Sequence, residues 1–432
     1  MSQLPVSHLP QSQLPESHAA ASHAAASHPA APRMAGSHPP VVLQVLPSLE
    51  TGGVERGTIE ITQAVAQADG VALVASAGGR MVGQVAHAGG RHITLPLDTR
   101  DPLNIWRNAA RLEALIRRER VAIVHARSRA PAWSAWLACR RTGAHFVTTY
   151  HGTYAENFPF KRRYNAVMAR GEIVIAASRF IADLIMAQHG VPPERIRVIP
   201  RGVDPVRFDP DTVAVERLAR LSSAWRLPDG APTVVLPGRL TTWKGHAVLI
   251  DALARLPRRD VIAVLVGSDQ GRHRYAAGLV RQAQALGVAD RLRLVGDCDD
   301  MPAALLLSDV VVHASTQAEA FGRVVIEAQA MARPVIAADL GGPVETVQHE
   351  ITGLRVPPGD AAALAEAIER MLALSPEERQ ALGAAARASV LRSYTVRAMQ
   401  EATLDVYEAV MGRSCIPRPL FAGEVAERLR RG

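Results

Sequence analysis

The stretch Ser315-Thr-Gln-Ala-Glu-Ala-Phe-Gly-Arg-Val-Val-Ile-Glu327 holds two glutamates, Glu319 and Glu327, eight residues apart across a Phe-Gly pair and an apolar run. The apolar segment 310–314 comes just before it and predicts a short, buried parallel strand. After Gly322 the apolar spacing becomes helical, and a downstream proline ends the helix. The sequence therefore predicts a strand, an acidic loop and a helix, with the loop at the edge where open α/β sheets bind ligands.

Two carboxylates at such an edge suit a ligand that is rich in hydroxyl groups. An ionised Glu only accepts hydrogen bonds, and sugars and riboses present rows of hydroxyl donors. The backbone N–H groups of Phe321, Gly322 and Arg323 open the predicted helix and can face an anion such as phosphate. One loop could thus hold a sugar, a phosphate and a ribose. The alternative is two solvated glutamates at a helix start, which favour the helix macrodipole.

A second charged loop follows a predicted strand that ends at Gly238, and it reads Arg239-Leu-Thr-Thr-Trp-Lys244-Gly245. Arg239 offers a planar fork of donors that suits phosphate, and Lys244 offers a point charge. Two fixed cations facing a diphosphate stabilise the negative charge that develops on a departing nucleotide. The sequence favours this role over the alternative, a solvated basic turn.

Together the two loops resemble the signatures of the retaining GT-B glycosyltransferases of family 4, also known as glycosyl transferases group 1. Glu319, Phe321, Gly322 and Glu327 match the E-x7-E pattern, and residues 238–245 match G-R-L-x-x-x-K-G. The resemblance implies that Glu319 lies by the donor sugar and that Glu327 binds the ribose of the nucleotide.

Predicted strands and helices alternate along both halves of the chain, and the resemblance extends over about residues 41–411. Such alternation predicts parallel sheets with right-handed crossovers. We expect an α/β GT-B fold, in which two Rossmann-like parallel-sheet domains face each other across a cleft. The predicted parts are a disordered Ser/His/Ala/Pro-rich tail (1–40), an acceptor-binding domain (41–205), a nucleotide-sugar-binding domain (206–393), a helix crossing back to the first domain (394–412) and a C-terminal tail (413–432).

The first half places candidate site residues at three strand ends. Gly52 and Gly53 lie between a strand and a helix, where glycine lets the backbone approach a ligand closely. They resemble the family's Gly-Gly loop, which lies near the diphosphate and sugar of the donor. His125 and Arg127 end a later strand and are predicted on the acceptor side. His151 resembles the family's strand-end His, which borders the acceptor and the reacting sugar, although a lone His is usually structural.

Two further stretches match the family pattern. Residues 199–204, Ile-Pro-Arg-Gly-Val-Asp, resemble its I-P-N-G-V-D hinge, with Arg201 where Asn is common. That departure removes an amide that forms turns. Residues 351–356 resemble its x-x-G-x-L-V hairpin.

The composition is that of a globular protein, with 48% hydrophobic and 21% charged residues. No apolar run reaches the length of a membrane span, and the N-terminus lacks the apolar core of a secretory signal. The three cysteines are isolated, which suits a reducing cytosol. Met34 lies just before the folded sequence, so a start there is an open alternative to a long tail.

Positive charge is concentrated in the first half. The chain has a formal charge of +8, whereas residues 100–170 alone carry 14 Arg and Lys against 4 Asp and Glu. Interleaved aromatic residues suggest an anionic acceptor or an anionic membrane surface as partner. The alternative is an arginine-rich solvated face. No helix-turn-helix, zinc-finger or RNP pattern supports nucleic acid. The aromatic residues are Trp106, Trp133, Trp136, Phe158 and Phe160.

The resemblance implies transfer of a sugar, with retention of configuration, from a nucleotide-sugar to a glycan or lipid-linked acceptor. No cofactor or metal is expected, because Arg239 and Lys244 would neutralise the diphosphate. His151 would position the acceptor or briefly accept its proton. The chain offers no clear second carboxylate for double displacement, so front-side attack is expected.

The basic first half favours bacterial lipopolysaccharide or exopolysaccharide synthesis by a cytoplasmic enzyme that binds the inner membrane peripherally. A soluble disaccharide or glucoside synthase is the competing enzyme. A nucleotide-sugar-binding protein without catalysis is the alternative from another class.

Overall fold

The computed structural model of the chain describes residues 39–154 and 159–412. The predicted tails therefore lie outside the described residues, apart from positions 39 and 40. From Pro39 onward the chain forms one compact unit with two parallel sheets. We call residues 39–205, around the first sheet, the N-terminal lobe, and residues 206–393, around the second sheet, the C-terminal lobe.

The N-terminal lobe is built on seven strands in the order β3-β2-β1-β4-β5-β6-β7, and each neighbouring pair is parallel. Its central strands are short apolar runs buried on both faces, as helix layers on either side require. The elements are β1 (Val41–Val45), α1 (Gly53–Gln67), β2 (Val71–Ser76), α2 (Val82–His87), β3 (Arg91–Thr94), α3 (Pro102–Glu119), β4 (Ile123–Ala126), α4 (Arg129–Thr142), β5 (His145–Tyr150), α5 (Pro159–Asn165), β6 (Ile173–Ala176), α6 (Arg179–His189) and β7 (Ile196–Val198).

The C-terminal lobe repeats this plan with six parallel strands in the order β10-β9-β8-β11-β12-β13. Its elements are α7 (Val215–Trp225), β8 (Thr233–Pro237), α8 (His246–Arg255), β9 (Ile262–Val266), α9 (His273–Ala285), β10 (Leu292–Gly296), α10 (Met301–Leu306), β11 (Val310–His313), α11 (Arg323–Ala330), β12 (Val335–Ala338), α12 (Pro343–Thr346), β13 (Leu354–Val356), α13 (Ala361–Leu372) and α14 (Pro376–Ser393).

The last helix, α15 (Val396–Met411), returns to the N-terminal lobe. It packs against α1, and its buried Tyr407 reaches His125 on β4. Just before it, Thr395 forms an isolated parallel bridge with Val203, in the segment between the lobes. The chain therefore crosses between the lobes twice, once before and once after the residues of the C-terminal lobe.

The predicted α/β fold with two Rossmann-like sheets is confirmed, and one local prediction is corrected. The short strand β3 ends at Thr94, two residues before Pro96, which has no N–H for the ladder. The strand β7 lies directly before the hinge-like segment 199–204. Residues 351–356 are not a hairpin, because β13 pairs in parallel with β12. Strands of three residues are too short to show a period in the sequence.

Candidate active site

A cavity of 640 Å³ lies where the C-terminal ends of the strands of both sheets meet. The strand order reverses beside it, between β1 and β4 in one lobe and between β8 and β11 in the other. Loops that diverge at such a switch point leave a crevice in which α/β proteins bind ligands. The wall contributed by the N-terminal lobe comprises residues 51–55, 151–153, 177 and 201, and that of the C-terminal lobe comprises residues 238, 239, 243, 244 and 317–324.

Glu319 and Lys244 form a direct ion pair in the C-terminal wall, with 2.6 Å between Nζ and Oε1. His313 bonds to the same oxygen through Nε2 at 2.7 Å, and Ser315 donates its hydroxyl to it. Burial disfavours the charge on Glu319, but His313 and Lys244 outweigh burial and hold the pKa of Glu319 well below its usual range. Glu319 is thus a fixed carboxylate, and its Oε2 has no hydrogen-bond partner within the described residues.

Two glycines allow these loops to lie so close together. Gly245 has a φ of +76°, and a Cβ there would overlap the carbonyl oxygen of Ala314. Gly322 has a φ of +77°, and a Cβ there would lie 2.7 Å from Cγ of Pro343. Left-handed backbone and close approach both favour glycine. The loop after β8 can therefore lie against the loop after β11, directly beside the start of α11.

Arg239 and the start of α11 face the same space as Lys244. Arg239 is an exposed part of the wall and forms no ion pair with a carboxylate of the described residues. Phe321 is buried against Tyr394, with 5.7 Å between ring centroids, and Gly322 begins α11. The first N–H groups of a helix have no partner inside it and attract anions. The cavity thus gathers the residues predicted to hold a diphosphate, and their roles stay predictions.

Glu327 lies outside the cavity wall. Its Oε1 is 3.2 Å from Nε of Arg323, whose Nη2 in turn lies 2.5 Å from Oε1 of Glu60 on α1. Burial raises the pKa of Glu327. In this structure the Glu327 carboxylate thus lies against Arg323, and its predicted contact with the ribose stays a prediction.

His151 lines the cavity beside Arg201, and an Arg201 N–H donates to its Nδ1. An arginine only donates, so the proton of the neutral ring lies on Nε2, which has no protein partner in the described ranges. Burial, and then the charges of Arg201 and Arg127, hold the pKa of His151 well below its usual range. Nε2 is itself buried in this structure, so the two predicted roles of His151, positioning the acceptor and accepting its proton, stay predictions.

His125 and Arg127 lie behind the cavity wall and do not line it, so any effect they have on an acceptor would be indirect. Nδ1 of His125 lies 2.7 Å from the Tyr407 hydroxyl, and Nε2 lies 2.6 Å from the Thr149 hydroxyl. Arg127 is 2% exposed, and its Nε donates to Oε1 of Gln44 at 2.7 Å. Successive strand residues point to opposite faces, so a position at a strand end does not by itself aim a side chain into the cleft.

Four side chains of this region were not predicted as parts of the site. His313 ends β11 as a partner of Glu319, and Arg323 joins the lobes through Glu60. Glu55 lines the cavity, where burial raises its pKa while the nearby Arg239 opposes that shift. Arg201 alone carried a signal in the sequence, since it departs from the hinge pattern.

Across residues 39–154 and 159–412, no three His, Cys, Asp or Glu side chains are grouped as ligands for a metal ion. In the same ranges no helix combines the length and hydropathy that crossing a bilayer requires.

Comparison with protein families and known proteins gives consistent matches. The family model for Glycosyl transferases group 1 matches residues 219–389, and that for Glycosyltransferase Family 4 matches residues 51–207. A D-inositol 3-phosphate glycosyltransferase of Saccharomonospora viridis is 31% identical over 304 residues, which span 64% of this chain and 67% of the relative.

Solved structures similar to this chain include glycosyltransferases as well. A glycosyltransferase from Rickettsia africae is 34% identical with a TM-score of 0.81, over 88% of this chain and 100% of that one. The Anabaena protein HepE in complex with UDP-glucose is 25% identical with a TM-score of 0.75, over 85% and 99% of the two chains.

Proposed function

The chain belongs to the family 4 (group 1) glycosyltransferases, and from that premise we propose that it transfers a hexose from a nucleotide-sugar to a phosphate-bearing or lipid-linked acceptor with retention of configuration. One observation carries the proposal: Lys244, Arg239 and Glu319 share a cavity with the start of α11 and with His151 of the opposite lobe. Cations, an anion-binding helix start and a carboxylate for hydroxyl groups are what a sugar diphosphate requires.

In this proposal the C-terminal wall holds the donor. Arg239, Lys244 and the first N–H groups of α11 contact the diphosphate, and Oε2 of Glu319 accepts a hydrogen bond from a hydroxyl of the donor sugar. Support for a nucleotide-sugar comes from HepE, which binds UDP-glucose in a structure similar to this one. Glu327 contacts the ribose once Arg323 has moved away from it.

The proposed reaction exchanges one bond at the anomeric carbon. The bond to the diphosphate oxygen breaks, a bond to the acceptor oxygen forms on the same face, and the acceptor proton passes to the departing diphosphate. Arg239 and Lys244 stabilise the charge that grows on the leaving group, so no metal is required for that task. His151 donates its Nε2–H to a substrate oxygen and so orients it.

For the acceptor, we propose a phosphorylated polyol or a glycolipid of bacterial envelope synthesis, such as lipopolysaccharide or exopolysaccharide. The excess charge of residues 100–170 supports an anionic partner. The relative from Saccharomonospora viridis is named for D-inositol 3-phosphate, which is itself a phosphorylated polyol.

An anionic inner-membrane surface is the second proposed partner. Trp106 and Phe160 are 57% and 81% exposed, as a surface that meets headgroups requires. Trp133 and Trp136 are instead covered by Arg170, whose guanidinium lies 5.2 Å and 4.2 Å from their rings. Phe158 lies outside the described residues. Sedimentation with phosphatidylglycerol vesicles tests this partner, and weak sedimentation would favour a soluble synthase.

Donor hydrolysis tests the proposed function. The protein is incubated with UDP- and GDP-linked hexoses, and release of nucleoside diphosphate is measured beside the shift in melting temperature. We expect slow hydrolysis of one donor, faster turnover with an acceptor, and a product whose anomeric configuration, read by NMR, matches that of the donor. If no donor is hydrolysed and none raises the melting temperature, the proposal is wrong.

A further inference from the structure

The cations around the cavity differ in how their charge is balanced. Lys244 is paired with Glu319, and Arg323 is paired with Glu60. Arg239 is exposed, so water screens its charge until a diphosphate arrives. In the described part of the chain, the charge of Arg201 is neither paired nor screened by water. Its side chain is 8% exposed and contacts no carboxylate among the described residues.

Arg201 is also not alone. Arg127 is 2% exposed and likewise has no acidic partner in the described ranges, and its Nη2 bonds to nothing there. The two guanidinium groups are neighbours: a Cβ built on Gly57 would lie 3.5 Å from Nη1 of Arg201 and 3.6 Å from Nη1 of Arg127. Burial, and then the charge of Arg127, lower the pKa of Arg201 to about 9, and burial lowers that of Arg127 to about 10. Both groups are therefore still charged at neutral pH.

Two buried like charges that touch no carboxylate are unfavourable, since each loses hydration and repels the other. Glu60 offsets part of this at longer range, but its carboxylate is already paired with Arg323. Among the described residues, the side chain to which Arg201 donates a hydrogen bond is neutral His151, which also lines the cavity. The cluster therefore offers donors and positive charge to one region, and it offers no acceptor oxygen of its own.

We propose that Arg201, at the cavity wall with His151, and Arg127, directly behind it, form an anion subsite of the N-terminal lobe that receives a phosphate group of the acceptor. This subsite is separate from the donor site at Arg239 and Lys244. It rests on the proposed function for the identity of the ligand as an acceptor. A phosphate fits because it accepts several charge-assisted hydrogen bonds from arginine at once and supplies the missing counter-charge.

Inorganic phosphate is the probe for the test, and binding is measured by calorimetry without any donor or turnover. Because phosphate could also occupy the donor site, the parent protein is the double variant Arg239→Ala with Lys244→Ala. We expect phosphate to bind this parent and Arg201→Asn to weaken that binding about 10-fold or more. Arg201→Lys keeps the charge and is expected to retain part of the affinity. Arg197→Asn, four residues earlier and exposed outside the cavity, is the matched control that leaves affinity unchanged.

Two outcomes overturn the subsite: no phosphate binding by the double variant, or equal binding with and without Arg201. Since no donor is involved, a failed hydrolysis assay with intact, Arg201-dependent phosphate binding rejects the transferase proposal and leaves the subsite standing. Competition then identifies the source of the phosphate group. Displacement by glucose 6-phosphate indicates a soluble phosphorylated acceptor, and displacement by phosphatidylglycerol vesicles alone indicates a lipid headgroup.

Discussion

The two walls of the cavity hold their positive charges in opposite ways. In the C-terminal wall Lys244 is locked to Glu319, and Arg239 is open to water. In the N-terminal wall Arg201, with Arg127 behind it, is buried, and neither contacts a carboxylate of the described residues. The C-terminal wall thus holds a directly paired charge, whereas the N-terminal wall holds two like charges that Glu60 offsets only at longer range. On this difference rests our proposal that catalysis belongs to the first wall and acceptor recognition to the second.

The largest expected effect comes from the balanced wall. Lys244→Ala should lower turnover about 10²-fold or more, because it removes a charge aimed at the leaving group and frees Glu319 from its partner. Steady-state kinetics with the donor found in the hydrolysis assay measures this. The chain has only two lysines, so Lys161→Ala on the exposed surface is the natural control.

Turnover of Lys244→Ala equal to that of wild type, with both proteins folded by circular dichroism, would show that the ion pair is only structural. The difference in charge pairing between the two walls would then be unrelated to catalysis.

A smaller effect is expected at the opposite wall. His151→Ala should lower kcat about 10-fold, the weight of a single neutral donor, while the donor's dissociation constant changes little. His151→Gln, which keeps an N–H donor, should recover part of the loss. Equal losses in kcat and donor affinity for both variants would instead mean that His151 supports the fold of the wall.

The two walls also differ in how much of their structure the sequence predicts. The spacing of Arg239, Lys244 and Glu319 predicted loops at one sheet edge, and the structure brings those loops into contact because both follow neighbouring strands. His125 was predicted in the cleft but points to α15, since the direction of a strand-end side chain depends on register.

The remaining differences arise from contacts between the lobes. Glu327 was predicted to bind the ribose, and the sequence did not show that Arg323, paired with Glu60 of the other lobe, would contact its carboxylate. No local pattern encodes how two lobes meet. Arg201 was visible as an exception to the hinge pattern, yet its contact with His151 depends on a neighbour 50 residues away.

The smallest expected effect concerns the buried neutral histidines that both lobes contain. Burial is the first cause that lowers the pKa of His151 and of His125 well below the usual range, and it lowers that of His246 in the C-terminal lobe to about 4. In the unfolded chain each of these histidines has its ordinary pKa of about 6.5. Below that pH the unfolded chain therefore binds more protons than the folded chain. The contribution of the neutral histidines to the free energy of unfolding is therefore fully present above about pH 6.5 and falls as the pH decreases.

Each such histidine should contribute up to about 1.4 kcal/mol per pH unit to that decline. Urea unfolding between pH 7.5 and 5 measures the slope, and His151→Gln should reduce it by about one histidine's share. His87→Gln, at an exposed position, should leave it unchanged.

Because Arg201 and Arg127 add to the cost of protonating His151, saturating phosphate should flatten the slope of the wild type but not that of His151→Gln. A slope that phosphate leaves untouched in both would mean that the anion does not reach this wall.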